Sequence, residues 1–215
     1  MSLTFHYHPL ASYCWKVLVA LYENDTPFVP KIVDLADEAE RAAFLALSPI
    51  GKMPVLQDTA RGAVVPETSV IIEYLDIHYP GSLRYIPADP DAALKTRLLD
   101  RFFDCYVQEP MQKIVLDNLR PAGKTDPHGV AEARAQLVSR YAFLERELAA
   151  RPWAVGETFG LADCAAMPAL YYANRVQPFE ASHPNVAAYL ARLRERPSVV
   201  RVLAEAEPYF RFFPG

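Results

Sequence analysis

The chain has 215 residues, 52% hydrophobic and 22% charged, which excludes wholesale disorder and leaves room for two domains. A net charge of −4 leaves no basic footprint for nucleic acid, and no apolar run reaches the roughly 18 residues that a membrane span needs. Met1 to His6 lacks a signal-peptide pattern, and the widely spaced Cys14, Cys105 and Cys164 contain no Cys-x-x-Cys pair, which fits a reducing compartment. A cytoplasmic protein with no nucleic-acid and no membrane partner is expected.

In chain order, Leu3, Phe5 and Tyr7 alternate with Thr4, His6 and His8 at strand period, and Pro9 ends the run. Cys14, Val17, Leu18 and Leu21 follow at helical spacing up to the Asn24–Pro27 breaker. Residues 28–33 read as a second strand, parallel to the first because a helix separates them. A short helix is expected over 38–47. Pro54–Gln57 and Ala63–Val65 flank a turn and read as a hairpin. Glu67 to His78 reads as a helix with Val70, Ile71, Tyr74 and Leu75 on one face. This order, β-α-β-(α)-β-β-α, is that of a thioredoxin-like domain, placed at 1–80.

Residues 81–90 form a linker by composition, and 91–215 read as an all-helical domain without strands. Asp89-Pro90 is a helix start, with Asp as cap and Pro in the first turn. Leu94, Leu98, Phe102 and Cys105 mark one expected buried stripe, and Leu137, Tyr141, Leu144 and Leu148 another. Leu161 to Val176 is apolar over most of its length and is expected to be central. Residues 186–194 and 199–205 are shorter helices.

Three local patterns carry chemistry. Gly51-Lys52-Met53-Pro54 has a proline opening a strand after a turn, a setting for a cis peptide bond. Pro66-Glu67-Thr68 opens a helix, whose free amides attract an anion. Phe159-Gly160-Leu161-Ala162-Asp163 opens the central helix with Asp163 placed to accept from the Gly160 amide. Taken together over nearly the whole chain, these patterns resemble the cytosolic glutathione S-transferases, in particular the bacterial, zeta-like, serine-type members. The resemblance implies glutathione as co-substrate. Met53, ahead of a cis Pro54, would pair its backbone with the cysteinyl unit, and Lys52 would reach the glycyl end. Glu67 would meet the γ-glutamyl ammonium, and Thr68 the carboxylate. The resemblance also implies a homodimer, with Ile50 projecting into the partner. Relatives usually carry Ser or Thr where Gly160 stands.

The catalytic position lies between the first strand and the first helix, at Ala11-Ser12-Tyr13-Cys14. Relatives of serine type carry two serines where Ala11 and Ser12 stand, and the first is generally the catalytic one. Here that first position is Ala11, so Ser12, the nearest hydroxyl one residue later, is the candidate catalytic hydroxyl and a glutathione contact. Three other readings stand beside this one: Ser12 as a helix cap, Cys14 as core, and Tyr7 as the activating hydroxyl. Tyr106, Met111 and Tyr172 are candidates for the wall of an electrophile pocket. No metal is expected, because His6 and His8 have no third ligand nearby.

The expected reaction is attack of an activated glutathione thiolate on a small electrophile. A free thiol has a pKa near 8.5, and a shift of about two units corresponds to ~2.7 kcal/mol, within reach of one hydroxyl donor and a helix N-terminus. The alternatives are a maleylacetoacetate-isomerase-like reaction, suggested by the Ser-x-Cys-Trp-Lys-Val segment, and a glutathione-binding protein without catalysis. A thiol-disulfide oxidoreductase is disfavoured by the lack of Cys-x-x-Cys.

Overall fold

The computed structural model describes residues 2–214; the outermost residues of the two expected domains, Met1 and Gly215, lie outside it. The first half folds as β1 (Leu3–Tyr7), α1 (Ser12–Glu23), β2 (Val29–Ile32), α2 (Glu38–Leu47), β3 (Val55–Asp58), β4 (Ala63–Pro66) and α3 (Thr68–His78). The sheet order is β2-β1-β3-β4. β1 runs parallel to β2 and antiparallel to β3, with His6 opposite Val55, and β3 and β4 form the hairpin. The alternation in β1 is realised as expected: Leu3, Phe5 and Tyr7 are buried, with Thr4 and His6 less so. β2 is an exposed edge strand, where Pro30 costs no ladder bond. α2 starts where Asp37 accepts from the Glu40 amide at 2.8 Å, and it packs Phe44 over Val33 and Val55.

The second half is helical among the described residues: α4 (Pro90–Phe102), a π-helical turn (Phe103–Gln108), α5 (Glu109–Asp117), α6 (Pro127–Glu147), α7 (Leu161–Val176), α8 (Pro184–Arg194), α9 (Pro197–Ala206) and a 3₁₀ turn (Glu207–Phe212). Among the described residues no helix is long and apolar enough to cross a membrane. Asp89 caps α4 through the Ala92 amide at 2.8 Å, with Pro90 in the first turn. The expected stripe of α6 is buried at Leu137, Tyr141, Leu144 and Leu148. One continuous core joins the halves, because α1 is buried on nearly every side and packs against α3, α7 and α9.

The expected buried stripe of α4 is corrected, and the burial of α3 is defined. On α4 the buried residues are Ala93, Thr96, Leu99 and Asp100, whereas Leu94 and Leu98 are 66% and 59% exposed. On α3 the buried face is Thr68, Ile71, Ile72 and Leu75, and Val70 points outward at 54% exposure. Apolar periodicity finds a stripe but does not say whether core or another surface covers it. The π-helical turn and α5 had no separate signal in the sequence.

Residues 81–90 are pinned rather than loose. The Asn24 side chain pairs both ways with the Leu83 backbone at 2.9 Å, and the Tyr85 ring is buried with its hydroxyl donating to the Ala20 carbonyl. The Tyr85 carbonyl accepts from the Leu161 amide at 2.9 Å, and a Cβ on Gly160 would lie 2.9 Å from that same oxygen. A side chain at this position would therefore force the Tyr85 backbone to shift. Asp163 does the capping alone. It accepts from Gly160 N at 2.9 Å, Ala154 N at 2.8 Å and the Tyr189 hydroxyl at 2.5 Å. Burial pushes its carboxyl up to about 6 against the pull of those donors.

Candidate active site

The site begins at the loop before α1. Its carbonyls are held from two sides: the Trp15 indole donates to Pro9 O, and the Tyr172 hydroxyl of α7 donates to Leu10 O at 2.9 Å. Ala11 takes the cap position with extended backbone and no side-chain bond. Ser12 is the first helical residue, so the reading of Ser12 as the N-cap is corrected. The Ser12 and Tyr13 amides meet no carbonyl acceptor among the described residues, which leaves the helix start open to an anion. The Ser12 hydroxyl accepts from the Gln108 side-chain amide and forms part of a cavity wall.

The other two candidates at this end lie elsewhere. Cys14 is fully buried, and its thiol is pushed up to about 12 by burial, which makes it core. Tyr7 lines a separate cavity with Tyr22, Phe28, Arg201 and Glu205, and burial raises its hydroxyl above the ordinary value. It is not on the wall that carries Ser12.

The turn before β3 brings in the second group. Gly51 adopts φ +69°, a conformation costly for residues with a Cβ, and the Met53–Pro54 bond is cis as expected. Pro54 is buried at the start of β3, Met53 is half-buried and Lys52 is exposed. The third group stands at the start of α3. Thr68 is buried as the first helical residue, and Glu67 precedes it with φ +69°, a left-handed conformation uncommon for a non-glycine residue. Such a conformation is held only where the surroundings determine it, here β4 on one side and the Ile71 amide on the Glu67 carbonyl at 2.8 Å on the other.

These groups form one groove with two arms. The polar arm is a cavity of about 220 Å³ with Met53, Pro54, Glu67 and Thr68 on one side and Arg101, Asp104 and Cys105 on the other. The apolar arm is a cavity of about 570 Å³ walled by Ser12, Leu35, Met111, Leu116, Tyr172 and Phe213. Tyr13, Lys52 and Met53 belong to both arms and join them. Of the three residues considered for an electrophile pocket, Met111 and Tyr172 line this cavity, and Tyr106 lies outside it, half-exposed against Phe102 and below Arg140.

Reasoning from sequence missed Tyr13, Lys16 and Gln108. The Tyr13 hydroxyl donates to the Asp104 carbonyl at 3.3 Å, so its ring floors the junction while its proton is committed. Lys16 is fully buried and pairs with Asp100 at 2.6 Å and Asp104 at 2.7 Å, while donating to Ser69 Oγ at 3.0 Å. Burial pushes the Asp104 carboxyl above the usual carboxylate range although Lys16 pulls it down. This buried cluster ties α1, α3 and α4 together beside the polar arm. A lysine on the inner face of a buried helix was the available signal, since such a group demands a partner.

The groove can hold an extended ligand with a charged end at Thr68, an amide at the Met53 backbone and a reactive atom at Ser12. Comparisons with known proteins identify the family. Residues 5–83 match the model of the glutathione S-transferase N-terminal domain, and residues 97–197 that of the C-terminal domain. A glutathione S-transferase of Pseudomonas putida is 30% identical over 95% of this chain and 93% of its own. A maleylacetoacetate isomerase of Pseudomonas aeruginosa is 29% identical over 81% and 82%. The crystal structure of a glutathione S-transferase from Methylobacillus flagellatus with bound glutathione superposes with a TM-score of 0.85 at 27% identity, covering 94% of this chain and 98% of that one. With both of its halves matched and its groove in place, the chain belongs to the glutathione S-transferase family.

Proposed function

We propose that the enzyme binds glutathione along the two-armed groove and activates its thiol at Ser12 for attack on a small, largely apolar electrophile. The observation that carries this reading is the junction at Tyr13, Lys52 and Met53, which joins a polar arm sized for a γ-glutamyl group to an apolar arm that contains Ser12. In this reading the γ-glutamyl carboxylate sits on the Thr68 amide and hydroxyl, and its ammonium on Glu67. Met53 pairs backbone to backbone with the cysteinyl unit, as strand addition does, next to Pro54. Lys52 reaches the glycyl carboxylate. The thiolate then lies at the open start of α1, where orphan amides and the Ser12 hydroxyl stabilise its charge.

The electrophile fills the arm lined by Met111, Leu116 and Phe213. Tyr172 contributes its ring alone, because its hydroxyl is committed to Leu10. The working division is 1–80 for glutathione and 91–215 for the helical domain, with 81–90 between them, in a cytoplasmic homodimer. Val70, Ile77, Leu94 and Leu98 are exposed apolar residues on α3 and α4 that a second subunit would cover, with Ile50 beside the polar arm. A second reading, cis–trans isomerisation of a dienoic acid by reversible thiolate addition, is favoured by the likeness to the maleylacetoacetate isomerase.

Calorimetry with glutathione tests the binding reading. Glu67→Ala leaves a substrate ammonium unpaired, a loss on the order of 2 kcal/mol, so affinity should weaken at least tenfold in a folded variant. Unchanged affinity would remove the α3 start from the site. Assaying a panel of electrophiles beside a cis-dienoic acid separates conjugation from isomerisation.

A further inference from the structure

The Ser12 hydroxyl has one proton and two lone pairs, and the direction of that proton decides what Ser12 can do. Among the described residues its one hydrogen-bond partner is the Gln108 amide nitrogen, which donates to it. Gln108 closes the π-helical turn between α4 and α5, is 2% exposed, and its own carbonyl oxygen is buried without a donor. The reverse orientation of this amide would take up the Ser12 proton and bury both N–H groups where no acceptor stands. Orphaned buried N–H groups are rarer than orphaned carbonyls, which favours the orientation observed.

We infer that Gln108 is a positioning residue: its side-chain amide occupies a lone pair of the Ser12 hydroxyl and leaves the O–H free to donate into the groove. The assignment rests on the reading of Ser12 as the thiol-activating group. The same turn holds the rest of the α1 start. The Asp104 carbonyl takes the Tyr13 proton, and the Asp104 carboxylate takes Lys16, so the turn commits the neighbouring donors of α1 inward. The hydroxyl of Ser12 is the group left with a proton to give. A serine hydroxyl that also accepts a hydrogen bond is a better donor, since bonds in a chain polarise one another.

The experiment measures the thiol pKa of enzyme-bound glutathione by thiolate absorbance in four proteins: wild type, Gln108→Met, Ser12→Ala and the double variant. Gln108→Met keeps the length of the side chain and removes the donor. With the donor gone, the Ser12 O–H is no longer held toward the groove or polarised, so the bound thiol should rise by roughly 0.5–1 unit and kcat near pH 6.5 should fall about 3- to 10-fold, with glutathione affinity within about twofold. In the Ser12→Ala background the same substitution should shift nothing, because its effect passes through the hydroxyl. A shift of equal size in both backgrounds would overturn the assignment and make Gln108 a packing residue. So would a Gln108→Met enzyme with an unmoved thiol pKa while Ser12→Ala moves it. If Ser12→Ala itself leaves the pKa unmoved, the reading of Ser12 fails first and the Gln108 inference falls with it. Gln108→Asn, whose amide stops one methylene short of Ser12, is the second variant should the methionine fail to fold. A melting curve for each protein separates loss of fold from loss of position.

Discussion

Two helix starts in this molecule are built in opposite ways. At the start of α7, Asp163 takes three donors in a buried site, and the Tyr85 carbonyl takes a fourth from Leu161. At the start of α1, Ala11 caps nothing, two amides stay open, and the first side chain, Ser12, is held only through its oxygen. A closed start spends its hydrogen bonds on stability, whereas an open one keeps electrostatic capacity for a ligand. The contrast predicts that damage to α7 appears in melting curves and damage to α1 in rates.

The largest effect tests the closed end. Asp163→Ala leaves the Ala154 and Gly160 amides and the Tyr189 hydroxyl without their acceptor. At about 1–3 kcal/mol per buried orphan, the variant should lose roughly 3–5 kcal/mol in denaturant unfolding or fail to fold. A loss below about 1 kcal/mol would show that α7 does not depend on this carboxylate.

At the open end, Ser12→Ala should slow conjugation about 10- to 100-fold. Its stability should fall by about 1–3 kcal/mol, less than at Asp163, because among the described residues one buried donor, the Gln108 amide, loses its acceptor instead of three. A large drop in melting temperature with an unchanged rate would reverse the roles of the two ends. Gly160→Ser is a further discriminator. It supplies the hydroxyl that the family resemblance leads one to expect at a helix cap, yet its Cβ would meet the Tyr85 carbonyl at 2.9 Å. Thermal melts should show a loss of about 1–2 kcal/mol in place of a better cap.

The smallest effect is a pH dependence. The Asp163 carboxyl is raised to about 6 when folded, from an ordinary value near 4. Between these values the folded state binds the extra proton, so this group's contribution to stability is full below pH 4 and is lost as pH rises through 6. The stability gap between wild type and Asp163→Asn should therefore narrow over that window. A gap that widens with pH would mean that the three donors outweigh burial.

Much of this plan was legible in the sequence because it rests on local chemistry. Asp89-Pro90 and the Asp163 spacing mark two caps by residue type alone. The cis bond after Met53 and the groove residues Lys52, Met53, Pro54, Glu67 and Thr68 came from the family resemblance that these short motifs carry, and the structure lines one groove with them and Ser12. What could not be read depends on surfaces meeting across long sequence separations. Leu94 and Leu98 have the spacing of a buried stripe, but the face that packs inward is the one carrying Asp100, whose burial Lys16 makes possible. Gln108 reaches Ser12 across 96 residues of chain, and no local pattern marks a glutamine for that task.

The turn over 103–108 carries one geometric consequence. A π-helical stretch holds one residue more than the α repeat needs. Over the six residues of the turn the looser winding carries the chain about as far round the axis as five α residues would, so the extra residue is taken up without turning α5 out of the phase that α4 sets. Gln108 and Met111 keep the faces from which one reaches Ser12 and the other the apolar arm. The turn thus fits one more residue into the wall beside α1 without re-aiming the helices on either side of it.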